Sequence, residues 1–440
     1  MTDDLPESAT LTQGLAALLR RRPISADDRA AAALFTLDAI ANAIGGRRTA
    51  PGRILTEWAG AEPRDTAGRA FVMGALTHIL EVDDLHRGSV VHPGCVVVPA
   101  ALALGSRLEV GGHAFLDAVL WGFEAACRVG LAVGAAHYRI WHNTATCGPY
   151  GAAAAAGKLL GLSAPALVDA FGNAGSQSSG LWQFMATGAM TKHLHAGHAA
   201  SAGLLAADLA ARGFSGPPAI LEGDKGFFRA ACPDAQPENV LADPAGPWAL
   251  TQTSIKPWPS CRHTHPAIDA ALELHGRIAG RAIVGLAVEA YPAALDVCDR
   301  PAPETPYEAK FSLHHCVAAA IEDGQVDFAS FEAAARDRLA PLRARTTLAA
   351  TPDFTAAYPA AWGSAVTVTL ADGETLTARR AHALGDPESP LSREVMIDKA
   401  QMLMAHGGLG RALAGRLCAG ILAFADDGPL PDLAPFFGLA

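Results

Sequence analysis

No run of lysines or arginines longer than the three at 20–22 occurs in these 440 residues, and the formal charge is −10. A chain without a basic face has nothing to offer the phosphates of nucleic acid or an anionic membrane, so neither is expected as a partner. No stretch of about 18 apolar residues is free of proline, glycine or charge, so no membrane span is expected. The opening residues, MTDDLPESAT, are acidic and polar, unlike a signal or transit peptide. Together these absences predict a soluble, cytoplasmic protein. The eight cysteines stand far apart with no C-x-x-C, so no short segment brings two thiolates to zinc or to an iron–sulfur cluster. They read as small buried apolar residues rather than a disulfide scaffold. A phosphate loop, a G-x-G-x-x-G after a strand and a G-x-S-x-G elbow are missing too. Nucleotide cofactors and serine-based acyl transfer therefore lack support.

What is present is apolar: 50% hydrophobic residues and 44 glycines. Up to about residue 255 the periodicity is helical, with helices expected over 114–136, 151–162, 164–177 and 198–213. Their alanines and glycines allow helix axes to approach closely. KPWPSCRHTHP (256–266) breaks the pattern with three prolines. Beyond it come a helix at 267–277, a strand-like AIVGLAVEAYP and a helical SFEAAARDRLAPLRARTT. The alternating AVTVTLADGETLTARRA (365–381) reads as a hairpin. From 392 the helical period returns. The fold expected is mainly α: a large all-α domain over 1–258 and 392–440, and a smaller α+β domain over 259–391.

Five segments hold most of the polar chemistry. HILEVDDLHRGSVVHPG (78–94) carries Glu81, Asp83, Asp84, His86 and His92. YRIWHNTATCGPYG carries His142 and Thr144, and GAMTKHLHAGHAA carries Lys192, His193, His195 and His198. PSCRHTHPAID carries Arg262, His263, His265 and Asp269, and YEAKFSLHHCVAAAI carries Lys310, His314 and His315. Each alone has a bland explanation: a solvated turn, a satisfied core histidine, an ion-pair partner. Together they sit among segments that ought to be buried, and burying ionisable groups costs several kcal/mol each unless they pair or bind something. The sum predicts an enclosed polar pocket. Lysine, arginine and imidazoles suit anionic groups, and carboxylates with neutral imidazoles suit proton transfer. A small polycarboxylate fits. The sharpest rival is a metal hydrolase, with His193-x-His195 and His263-x-His265 as ligand pairs and Asp83, Asp84 and His86 beside them. The lack of H-E-x-x-H and of repeated strand–helix alternation places it behind.

These five segments, in this order, resemble the successive blocks of the MmgE/PrpD family, which includes 2-methylcitrate dehydratase, cis-aconitate decarboxylase and iminodisuccinate epimerase. The resemblance covers most of residues 30–400. It implies a helical domain built from the N-terminal half and the tail, an inserted α+β lid domain, a homodimer, and no metal, cluster or other cofactor. Carried over position by position, it implies catalytic roles for Asp84, His92, His142, Lys192 and His265. Substrate binding would fall to Glu81, Asp83, His86, Thr144, His195, Arg262 and His263. Two positions depart from the family's habit: Glu81 stands where aspartate is usual, and Leu85 where threonine or serine is common. The activity implied is a cofactor-independent lyase, with dehydration of a 2-methylcitrate-like acid placed first. Decarboxylation of the cis-aconitate type or epimerisation of the iminodisuccinate type is the alternative. A non-catalytic carboxylate-binding protein is the reading from a different class.

Overall fold

The computed structural model describes residues 10–439; the acidic opening, read above as lacking a targeting signal, lies outside them but for Thr10. The chain forms two compact units. One comprises the residues up to Ser254 together with those from Ser392 onward, and the other is Ile255–Leu391.

The first unit is helical, and its helices begin where short polar side chains can cap them. Ser25 opens the Ala26–Gly46 helix with a capping box to Asp28, and Asp65, Ser163 and Ser392 cap Thr66–Thr77, Ala164–Gly175 and Arg393–His406. In each case the side-chain oxygen accepts a backbone N–H that would otherwise be orphaned. Small residues then let the helices close up. A β-carbon on Gly203 would lie 2.2 Å from the Pro149 carbonyl oxygen, so the Asn143–Leu159 and Thr191–Ala210 helices touch backbone to backbone there. None of the helices is long and apolar enough to cross a membrane, among the described residues.

Two helices begin earlier than their periodicity predicts. Asn143–Leu159 extends the expected 151–162, and Thr191–Ala210 extends the expected 198–213. Neither His142 nor Met190, the residues preceding them, makes a side-chain capping bond, and their first turns are polar. Both signals of a helix start are therefore absent, while tertiary packing holds the turns in place.

The second unit carries a four-stranded sheet in the order β2-β1-β3-β4, with strands Ile283–Ala290, Thr346–Ala350, Ser364–Leu370 and Thr375–Arg380 numbered along the chain. The expected hairpin is β3–β4, antiparallel with Thr367 opposite Thr377. β1 pairs antiparallel with β3 and parallel with β2. Strand β2 corrects the sequence reading, which took 330–347 as helical throughout. The helix stops at Arg343, and the short, mostly exposed β2 shows no alternation to betray it. The His265–Ile278, Leu313–Asp323 and Ala333–Arg343 helices, with shorter ones between the strands, belong to this unit.

Candidate active site

Residues 78–94 link the Thr66–Thr77 helix to the Gly94–Leu108 helix, and almost all of them are buried. Backbone pairing fixes this loop. Leu85 exchanges hydrogen bonds with Ser254 at 2.9 and 2.8 Å, and His86 N–H donates to Val91 O at 2.9 Å. Glu81 and Val90 adopt left-handed backbone, φ 63° and 52°, which L-residues seldom take without support. For Glu81 the support is visible: the Lys192 ammonium donates to both carboxylate oxygens, at 2.6 and 2.7 Å, and both residues are buried. Lysine and glutamate are thus a desolvated pair joined across 111 residues of sequence.

Next to this pair lies a set of imidazoles. His78 Nδ1 is 2.6 Å from Asp83 Oδ2. Its ring stacks on that of His142, with centroids 5.6 Å apart, and meets that of His92 edge-on at 4.8 Å. His92 Nδ1–H donates to the Asp84 carbonyl at 2.5 Å, since a carbonyl only accepts. That fixes the ring proton on Nδ1 and leaves Nε2 as the basic nitrogen. Thr144 Oγ1 accepts the His92 N–H at 3.1 Å. His142 N–H donates to Gly180 O at 2.9 Å, its Nδ1 lies 3.3 Å from His195 Nδ1, and its ring rests against Trp182.

Burial sets the charge state of this group. It pushes His142 well below the ordinary imidazole value, reinforced by neighbouring His78 and Lys192, and takes His193 and His195 down to about 4. These rings are neutral near pH 7. Asp84 moves the other way: desolvation, with Asp83 and Asp38 nearby, holds its carboxyl well above the usual range and favours the protonated form, although Gly94 N–H donates to it at 3.1 Å.

The structure therefore brings Glu81, Asp83, Asp84, His92, His142, Thr144, Lys192 and His195 into one neighbourhood of the first unit. His86 is placed differently: its Nδ1 bonds Ser89 Oγ at 2.8 Å within its own turn. Arg262, His263 and His265 belong to the second unit. There Arg262 is ion-paired with buried Asp386, His263 stacks on Trp362 at 4.4 Å and bonds Tyr291 Oη at 2.7 Å, and His265 Nε2 bonds Ser260 O at 3.3 Å. His314 Nε2 lies 2.9 Å from Asp299 Oδ1 and His315 Nε2 2.7 Å from the Ser330 carbonyl oxygen, also within the second unit.

Sequence reasoning missed three contributors. His78 opens the 78–94 segment and was not among the residues singled out in it. Gly180 lies in an unremarked loop. Lys399 sits in a helix that reads as an exposed amphipathic one, yet it is 6% exposed, 2.5 Å from Asp38, and donates to Val82 O at 2.8 Å. Only the three methionines and two alanines of its helix hint at burial. As for a cation, ligand atoms of His78, Asp83 and His92 lie within 4.8 Å of one another. The 2.6 Å contact between His78 and Asp83 is a hydrogen bond, which already uses one ligand atom of each. The rival ligand set of His193, His195, Asp84 and His86 does not gather among the described residues.

The chain is similar to several known proteins. Cis-aconitate decarboxylase of Mus musculus is 29% identical, the match covering 75% of this chain and 70% of that protein. The Homo sapiens enzyme of the same name is 30% identical over 75% and 71%. A 2-methylcitrate dehydratase of Cupriavidus necator is 30% identical over 41% of this chain and 40% of its own. The MmgE/PrpD N-terminal domain matches residues 14–239 and the MmgE/PrpD C-terminal domain residues 258–412. This chain belongs to the MmgE/PrpD family.

Proposed function

We propose that the protein is a cofactor-independent lyase that acts on a small di- or tricarboxylic acid by removing a proton alpha to a carboxylate. The observation that carries this reading is a buried lysine–glutamate pair set among imidazoles that desolvation keeps neutral. Lys192 is the cation for a substrate carboxylate, with Glu81 holding the ammonium in place until the acid arrives. His92, its proton fixed on Nδ1, offers Nε2 as the base, and His142 is the second candidate. As the proton leaves, negative charge builds on the carboxylate oxygens, and a preorganised ammonium stabilises that charge more than it does the ground state. Asp84 holds the loop through Gly94 and supplies a protonated carboxyl beside it.

That enolate-like species can expel a beta hydroxyl as water or be reprotonated. In decarboxylation the acid/base group works in the other sense, delivering a proton to carbon as a carboxylate leaves as carbon dioxide and its bonding pair shifts into the double bond. Dehydration was placed first from the sequence. The similarity to cis-aconitate decarboxylases spans more of the chain than the similarity to 2-methylcitrate dehydratase, which supports decarboxylation on an equal footing. Proton NMR in heavy water, with cis-aconitate and 2-methylcitrate as separate substrates, distinguishes the outcomes. We expect loss of carbon dioxide or water from one of them, or deuterium entering at the alpha carbon. Both acids recovered unchanged and undeuterated would contradict the proposal.

A further inference from the structure

A cavity of about 800 Å³ lies in the first unit, and it shares no lining residue with the imidazole cluster. One wall is a face of the Leu11–Arg21 helix, where Gly14, Ala17, Leu18 and Arg21 follow the i, i+3, i+4, i+7 spacing. The facing wall is the 241–251 segment, from Leu241 to Trp248 and Thr251. At Gly14 the two walls meet, since a β-carbon there would lie 2.6 Å from Leu241 Cδ1. Toward the other end the Arg22 guanidinium sits 4.1 Å over the Trp248 ring. From Gly14 to Arg21 the helix face runs about 10 Å, the length of an extended chain of about eight carbons.

Charge gathers at the Arg22 end. Arg22 and Arg128 both bond Oε1 of Glu124, Arg128 at 2.6 Å, and the three side chains are 7%, 8% and 1% exposed. One buried carboxylate thus serves two guanidiniums, and its Oε2 already accepts the Ala249 N–H at 2.8 Å. Arg128 turns its remaining donors to the carbonyls of Val240, Ala242 and Asp243, whereas Arg22 lines the cavity. Burial pulls Arg22 below the ordinary guanidinium value despite Glu124, and Arg128 adds to the fall. Asp28 and Asp243 oppose it, each less strongly than Arg128 acts. Asp28 is the one acid in the lining, and its carboxylate closes the capping box at Ser25. Positive charge held out of water at the end of an apolar groove favours an anion that brings an apolar body with it. The volume is within the roughly 300–1,000 Å³ of sites that hold such ligands.

We propose that this cavity is a second binding site, for an acyl chain that ends in a carboxylate. The head group lies against Arg22, and the chain runs along the Leu11–Arg21 helix past Leu18 toward Gly14 and Leu241. The site is independent of the lyase reading, because neither uses a residue of the other.

Isothermal titration of the full chain with octanoate, octanamide and butyrate tests it. We expect octanoate to bind at least about tenfold more tightly than butyrate, a modest share of what burying four carbons supplies. Octanoate should also bind more tightly than neutral octanamide, and that advantage should vanish in Arg22→Gln. Leu18→Asp puts an anion on the apolar wall and should weaken octanoate by a similar factor. Leu18 is partly exposed, so this variant tests the wall whatever becomes of the Arg22 ion pair, and circular dichroism checks both folds. Equal affinities for octanoate and butyrate, or no binding of octanoate, would overturn the site. An advantage over octanamide that survives Arg22→Gln overturns it too, as does octanoate binding unchanged in Leu18→Asp. Displacement of octanoate by succinate would place the acid in the imidazole cluster. Dissociation of an oligomer in Leu18→Asp, seen by sedimentation, would give this face to a second copy of the chain. Either result overturns the proposal.

Discussion

Glu81 bears two burdens at once, a left-handed backbone and a buried charge, and Lys192 supports both. Removing one member of a desolvated pair strands the other, at about 3–5 kcal/mol. Lys192→Met should therefore lower the unfolding free energy measured in urea by that amount and abolish turnover. Glu81→Gln with Lys192→Met should recover much of the stability and none of the activity. A fully stable Lys192→Met protein would show that the pair does not hold the loop. The histidines give a pH signature. His86, His193 and His195 sit at about 4 in the folded chain against an ordinary 6.5. Between those values the unfolded chain binds more protons, so stability rises with pH there and is lost as pH falls from about 6.5 toward 4. Protonated Asp84 contributes the opposite slope, while His142, also lowered by burial, adds to that of the rings. His195→Asn, which cannot titrate, should lose up to roughly 3 kcal/mol less over this window; an unchanged slope in thermal melts would remove His195 from the account. These residues were legible because polar groups stood out in apolar surroundings. Lys399 was not, because a lysine on a helix with charged neighbours looks solvated until its tertiary partners are known.

At the scale of elements, the helices capped by Ser163 and Ser392 were readable from the sequence, and the starts on His142 and Met190 were not. That matters for the site, because the hidden turns carry Thr144 and Lys192. Strand β2 escaped for a related reason: a five-residue strand with little burial is specified by its neighbour β1 rather than by its own pattern. The Arg393–His406 helix makes the strongest prediction at this scale. Lys399 bonds Asp38 on one side and the carbonyl of Val82, in the middle of the loop, on the other. Lys399→Met should cost about 3–5 kcal/mol by stranding Asp38. Asp38→Asn with Lys399→Met should restore most of that stability while kcat stays low and KM moves little, since the Val82 carbonyl has lost its donor. Full activity in the double variant would reduce Lys399 to a packing role.

For the whole molecule, the helical majority was legible in the alanine and glycine periodicity, and the sheet in the hairpin and the Ile283–Ala290 run. How distant segments choose one another was not, since pairings such as Lys399 with Val82 span 317 residues and leave no local trace. The homodimer implied by the family resemblance is a further expectation at this scale. Sedimentation equilibrium should report twice the 45.4 kDa chain mass, and a concentration-independent single-chain mass would contradict it.

Residues from Ser392 onward complete a unit whose other part ends at Ser254. Translation delivers them last. While a ribosome is still making the 255–391 segment, the nascent helices before it already exist, yet Asp38 has no lysine and the peptide at Val82 has no clamp. The loop bearing Glu81, Asp83 and Asp84 can reach its final form only after release of nearly the whole polypeptide. A stop codon before Lys399 would thus silence the active centre from more than three hundred positions away.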